Sequence, residues 1–314
     1  MTMVTTAMTA PASVACADPV TIAPCRRLAD LAVAALIDEV TLTPKPGLVD
    51  LRSRGAHRDL SWDLMCHSAW ALHPTFLAMA QAGRDLGCAD PQRLRETIGA
   101  IGRCGEQAML AATGGVNTHR GAIWALGLLV TAAAQGQYQD RDRYRNCDRQ
   151  QSRPAAVAAR AGALARISDR FAPACTGNNG ERARREHGVG GALGQARAGF
   201  PHALNSALPV LLAARLGGAG EDAARLNALL AIMADLDDTC VLARGGAAGL
   251  LAVQQGAAVV LAVLAADGVA SLPGQHALQW YEQDLLARHL SPGGAADLLA
   301  ATLLLDSIAA EFAA

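Results

Sequence analysis

Lysine is almost missing. Of the 27 basic residues in this 314-residue chain, 26 are arginine and one, Lys45, is lysine. Aromatic residues make up only 4%, which removes the interleaved stacking platform that single-stranded nucleic acid needs. The eight cysteines stand singly, with no CxxC or CxxxC pair. That spacing argues against a zinc site, a redox dithiol or a disulfide framework, and suits buried or incidental thiols in a reducing cytoplasm. No uncharged apolar run reaches the roughly 18 residues of a membrane span; the longest lies near residues 256–266. The first 23 residues have neither a basic start nor a sustained apolar core, so they read as a flexible tail and not as a secretory signal. Period-2, β-branched stretches are also absent, and no strand is predicted.

What is present is alanine and leucine, which dominate a 52% apolar composition. Both are strong helix formers. The prediction is one all-α domain of about ten helices over residues 24–314. Apolar spacing at i, i+3 and i+4 marks a helix from Pro24 to Val40, and the TPKPG segment stops it. Ser61 can cap a helix to Ala82, kinked at Pro74. Asp90-Pro91 opens another helix, ended by Gly114-Gly115 near residue 112, with Thr118 as the next cap. Further helices are expected at 154–171, 197–216, 221–235, 246–266, 273–289 and 294–310.

The net charge of −1 is uneven: residues 1–136 are neutral, 137–190 carry +5 and 191–314 carry −6. The signs alternate through residues 137–153, which therefore read as a solvated connector and not as a nucleic-acid surface.

In an all-helical domain, chemistry comes from helix ends, loops and inward-facing polar groups. Four loops stand out. The first, residues 43–62, holds Lys45 between two prolines, with Asp50, His57, Arg58 and Asp59 behind it. An ammonium is a compact point charge that a guanidinium does not replace, so a lone lysine in a rigid loop points to a chemical requirement. The second, residues 106–124, joins Glu106 to Asn117, Thr118, His119 and Arg120 at a helix start, where free N–H groups and the dipole favour an anion. It lacks the Walker spacing. The third, residues 233–250, clusters Asp235, Asp237 and Asp238 ahead of Arg244-Gly245-Gly246; Mg²⁺ takes one or two such carboxylates plus phosphate oxygens. The fourth, residues 289–299, turns at Ser291-Pro292-Gly293-Gly294, with Asp297 one turn into the last helix.

TPKPGLVD with GAHRD, then GVNTHRGAI, HGVGGALGQARAGFP, DT-x-x-L-x-RGG and LSPGGAADLLA follow one another in this order. The set resembles the triphosphoribosyl-dephospho-CoA synthase family over about residues 25–308. SAWALHPTFLAMA is more similar to the enzymes serving malonate decarboxylase than to those serving citrate lyase. Three motifs depart from the family pattern, at four positions. Leu193 stands where an arginine is usual, so a basic contact is either lost there or supplied by Arg197. Ala295 replaces a serine. Cys240 and Ala243 replace an asparagine and a basic or aromatic residue.

The resemblance implies an all-helical enzyme that moves the 5-triphosphoribosyl group of ATP to the 2′-hydroxyl of 3′-dephospho-CoA and releases adenine. The product would pass to a holo-acyl-carrier-protein transferase. Breaking an N-glycosidic bond builds positive charge on the sugar, as in glycoside cleavage. Four jobs follow. Lys45, Arg58, Arg120 and Arg244 are candidates to grip the triphosphate, with Asn117, Thr118, Gly245, Gly246 and Ser291 as further substrate contacts. Asp237 and Asp238 are the candidates for Mg²⁺. Glu106, Asp59 or His119 could take the proton of the hydroxyl, and His57 or His119 could protonate adenine. Water in place of the hydroxyl would make the chain a nucleosidase or ADP-ribosyl-type hydrolase, and loss of chemistry would leave a silent nucleotide-binding protein. No nucleic-acid or membrane partner is expected, and the sequence leaves the oligomeric state open, a homo-oligomer included.

Overall fold

A computed structural model describes residues 19–138, 153–175 and 177–312. The tail before residue 19 and most of the expected connector lie outside the described residues. Helix α1 (Pro19–Thr41) begins five residues before the predicted start and carries Pro24 inside it. The serine cap at Ser61 is present, but the long helix behind it is two: α2 (Trp62–Ala71) and α3 (His73–Leu86) meet at Leu72, with Pro74 in the first turn of α3. A proline there forfeits no helical hydrogen bond, so the chain restarts instead of kinking. Asp90 caps α4 (Pro91–Ala112) by accepting from the Arg93 N–H at 2.9 Å.

Helix α5 (Arg120–Tyr138) is the centre of the molecule. It packs against α1, α3 and α4, against α6 (Pro154–Arg166) and α8 (Gly191–Arg197), and against α13 (Gly293–Phe312). Ala122, Ile123, Leu126, Leu129, Val130 and Ala133 are all buried, the pattern of a helix apolar on every side. Two glycines set its distance from α3. A Cβ at Gly83 would strike the Thr131 backbone, and one at Gly127 would strike Met79 Sδ.

The rest of the chain forms a second layer. Helix α7 (Asn179–His187) and α8, which the sequence did not announce, precede a π-helical turn at His202–Ala207 and α9 (Leu208–Leu216). Then come α10 (Glu221–Met233), α11 (Thr239–Asp267) and α12 (Leu272–Ala287). The described residues thus hold thirteen α-helices and no strand. Helix α11 is long and apolar enough, by length and composition, to cross a membrane, with a mean hydropathy of 1.9 over its best window. Here it packs against α7, α10, α12 and α13. The all-α expectation holds. Of the extra helices, one comes from the split at Leu72, and α7 and α8 are short ones in charged or glycine-rich stretches where apolar periodicity gives no signal. What this architecture positions is one cleft, walled by residues at the N-terminal ends of α5, α11 and α13.

Candidate active site

The cleft has a volume of about 1380 Å³, above the usual range of roughly 300–1,000 Å³ for a single small-ligand pocket. Of the residues singled out in the sequence, Lys45, His57, Glu106, Asn117, Thr118, His119, Arg120, Asp237, Asp238, Arg244 and Ser291 all line it. All four informative loops meet there through side chains that their sequence positions separate by up to 246 residues.

Several of these side chains have partners within the chain. Lys45 is 1% exposed, and its ammonium donates to the Glu39 carbonyl at 2.7 Å and to the Glu39 carboxylate. Its charge is therefore met from α1. Asp50 organises the same loop by accepting from the backbone N–H groups of Lys45, Arg52 and Ser53. Arg120 Nε donates to Glu106 Oε2 at 3.0 Å, joining the base candidate to a phosphate candidate. The Arg120 N–H is capped by Asn117 Oδ1 at 3.3 Å. Thr118, the expected cap, instead shares a hydrogen bond with Ser68 at 2.6 Å.

His119 is 2% exposed. Its Nδ1 lies 2.9 Å from Ser68 Oγ, and its Nε2 has no hydrogen-bond partner. Burial, helped by the Lys45 charge, holds its pKa down at about 3, so the ring is neutral at physiological pH. His57 Nε2 lies 2.8 Å from Ser291 Oγ. Burial lowers its pKa, and the nearby Arg244 charge adds to this against Asp59.

Asp237 and Asp238 part company. Asp237 is exposed on the rim. Asp238 is buried and ties two helix starts together: Oδ1 accepts from the N–H groups of Cys240 and Val241 on α11, and Oδ2 from the N–H of Ala295 on α13. Among the described residues no three His, Cys, Asp or Glu side chains converge as a metal site. A carboxylate with both oxygens given to backbone N–H groups is first of all a cap. An ion here would take its remaining ligands from phosphate oxygens.

Four expected contacts stand apart from the cleft. Arg58 and Asp59 face a shallow side hollow with His289, connected to the main cleft through His57 and Arg244. Asp59 is 64% exposed at its side chain and lies 3.6 Å from His57 Nδ1. Gly245 and Gly246 are not at the start of α11 but at a break inside it, where Gly246 has φ 59° and ψ −159°. A Cβ on Gly245 would press on Leu290 at 2.6 Å. These glycines serve packing and the bend, and the helix start that faces the cleft is at Thr239.

Sequence reasoning missed three groups. Glu39 hides in an ordinary amphipathic helix. Asp297 was placed on the last helix without a role. Its carboxyl fills the space that a Cβ on Gly121 would take, and burial, with the Glu39 and Asp238 charges, raises its pKa well above the usual carboxylate range. Arg184 on α7 also lines the cleft, beside Gly191, with a buried Nε that has no partner. The glycine at 121 was the one legible hint, since it permits another chain segment to come close.

Comparison with known proteins identifies the family. A family model described as CitG, ATP:dephospho-CoA triphosphoribosyl transferase, matches residues 25–314. A probable 2-(5″-triphosphoribosyl)-3′-dephosphocoenzyme-A synthase of Azotobacter vinelandii is 55% identical over 282 residues, covering 90% of this chain and 91% of the relative. Proteins of the same description from Pseudomonas syringae pv. syringae and Pseudomonas fluorescens are 55% and 54% identical, the latter over 92% of this chain and 94% of its own length. No solved structure matches the chain. With nearly the whole chain matched and its motifs gathered on one cleft, this protein belongs to the ATP:dephospho-CoA triphosphoribosyl transferase family.

Proposed function

We propose that the protein transfers the 5-triphosphoribosyl group of ATP to the 2′-hydroxyl of 3′-dephospho-CoA, releasing adenine. In the step, the bond from adenine N9 to ribose C1′ breaks and a bond from the hydroxyl oxygen to C1′ forms. The hydroxyl proton leaves through one group, and adenine takes a proton from another. The carrying observation is the set of proton-handling side chains gathered in one nucleotide-sized cleft: a carboxylate at Glu106, a neutral imidazole at His119 with an unpartnered Nε2, and a carboxyl at Asp297 whose pKa its surroundings raise well above the usual carboxylate range.

Glu106 and His119 Nε2 are the groups able to accept the hydroxyl proton. Asp297 is suited to give one to adenine, because a raised pKa makes a carboxyl hold its proton to higher pH than an ordinary one. A positioned acid or base contributes about 10²–10⁴-fold. Mg²⁺ arrives with the triphosphate as part of the substrate, and Asp237 on the rim is the carboxylate open to it. Malonate decarboxylase is the pathway we favour, supported by the SAWALHPTFLAMA segment, with a holo-acyl-carrier-protein transferase as the next enzyme and the cytoplasm as the place.

Mass spectrometry of a mixture of ATP, Mg²⁺ and dephospho-CoA with the protein tests the reading. The expected result is adenine plus a dephospho-CoA adduct one triphosphoribosyl unit heavier. ADP or AMP as product would move the attack to phosphorus and overturn it. Adenine release without dephospho-CoA would make the protein a hydrolase.

A further inference from the structure

A second polar constellation lines the same cleft. Asp169 is buried, and its Oδ2 accepts from Arg103 Nη1 at 2.7 Å and lies 3.7 Å from Arg95 Nη1. Arg95 is 8% exposed, and its guanidinium stands 5.0 Å from the centre of the Trp124 ring. Burial lowers its pKa against the pull of Asp169, and the positive charges of Arg103 and Arg197 lower it further. Two guanidiniums thus share one carboxylate, and the charge of Arg197 adds to theirs. The neighbouring acid, Glu96, is committed to Arg170 through two hydrogen bonds of 2.5 and 3.0 Å.

The hydrogen bonding is unbalanced in the same direction as the charge. Arg95 Nε, Arg95 Nη1 and Trp124 Nε1 are buried donors without acceptors. Arg95, Trp124, Asp169 and Arg197 all line the cleft. A buried charge stripped of water needs a partner, and the group that supplies several acceptor oxygens and negative charge without bringing donors of its own is a phosphoryl group. Trp124 lies one helical turn after Arg120, about 6 Å along α5, so this region adjoins the Arg120–Glu106 pair. At that pair and at Lys45, by contrast, each cation has a carboxylate of its own, whereas Arg95 and Arg103 share Asp169.

The structure assigns Arg95, Trp124 and Arg197 as a subsite for the polyphosphate chain of a nucleotide substrate. The assignment deepens the proposed function and rests on it for the two candidate chains, the triphosphate of ATP and the diphosphate of dephospho-CoA. It also gives a use to Arg197, one turn beyond Leu193.

Calorimetric titration of the intact protein with inorganic tripolyphosphate and with pyrophosphate tests the subsite directly. The wild type should bind tripolyphosphate. Arg197→Gln, a change at an exposed position, should weaken that binding by about 10-fold or more, in line with the loss of one charge-assisted contact. Arg95→Gln should weaken it at least as much, and a melting curve shows whether that variant has folded. Unchanged affinity in Arg197→Gln, or no tripolyphosphate binding by the wild type, overturns the assignment.

Steady-state kinetics of Arg197→Gln then separate the two chains. A raised KM for ATP alone places the triphosphate here, a raised KM for dephospho-CoA alone places its diphosphate, and no change in either overturns the subsite. Arginine-dependent tripolyphosphate binding in a protein that releases no adenine would leave the subsite standing and refute the proposed reaction.

Discussion

Lys45 and Glu39 form a buried ion pair on the wall of the cleft, with both side chains nearly inaccessible. The chain retains lysine at this one position and arginine everywhere else. A compact ammonium that meets a carbonyl and a carboxylate of the same residue leaves no room for a planar fork. Lys45→Met should cost about 3–5 kcal/mol, because it strands a carboxylate in the interior. Adding Glu39→Gln should restore most of the loss. Urea unfolding of the single and double variants measures both.

The neutral His119 makes stability depend on pH. Its folded pKa is about 3, against an ordinary 6.5. Between these values the unfolded chain binds more protons, so stability rises with pH. The contribution is complete above pH 6.5 and is lost as the pH falls towards about 3. His119→Gln should flatten that part of a stability–pH curve. It should also reduce kcat by about 10²–10⁴-fold, with the melting temperature at pH 8 little altered.

Asp297 works in the opposite sense. Its raised pKa means that the folded state holds a proton which the unfolded chain has released. Its contribution is complete below the ordinary carboxylate value of 3.8 and is lost as the pH rises through the folded value. Asp297→Asn should remove this loss while lowering kcat by about 10²–10⁴-fold. A stability–pH series and single-turnover adenine release check the two halves separately.

The neighbouring carboxylates Asp237 and Asp238 should separate cleanly. Asp237→Asn should raise the Mg²⁺ needed for half-maximal rate and leave melting unchanged. Asp238→Ala should lower stability by about 1–3 kcal/mol, since three backbone N–H groups lose their acceptor. A Mg²⁺ titration of rate, with melting curves on both variants, distinguishes the roles.

Much of the fold was written locally. Ser61 and Asp90-Pro91 cap helices where the sequence placed them, and Gly114 and Gly115 take the positive φ values that end α4. Such signals act over a few residues, which is why they can be read. Helices α7 and α8 escaped because ERARREH and GALGQAR lack an apolar stripe; they are held by packing against α11 and against α5 and α6. The split at Leu72 escaped because one proline fits either a kink or a fresh first turn.

The site was legible as a set of loops and illegible as a set of partners. Residue types announced Lys45, Glu106, His119 and Arg120. Only the packing of α1 behind the TPKPG loop pairs Lys45 with Glu39, and only the approach of α13 to Gly121 sets Asp297 beside two other acids. Arg95, Arg103, Asp169 and Arg197 are scattered over a hundred residues, and no local pattern links them. The sequence by itself determined the helical composition, the caps, the lone lysine and the family motifs, because each depends on neighbours along the chain. The tertiary structure alone decided which charges are cancelled and which stay unpaired, because desolvation and Coulomb pairing depend on distance in space.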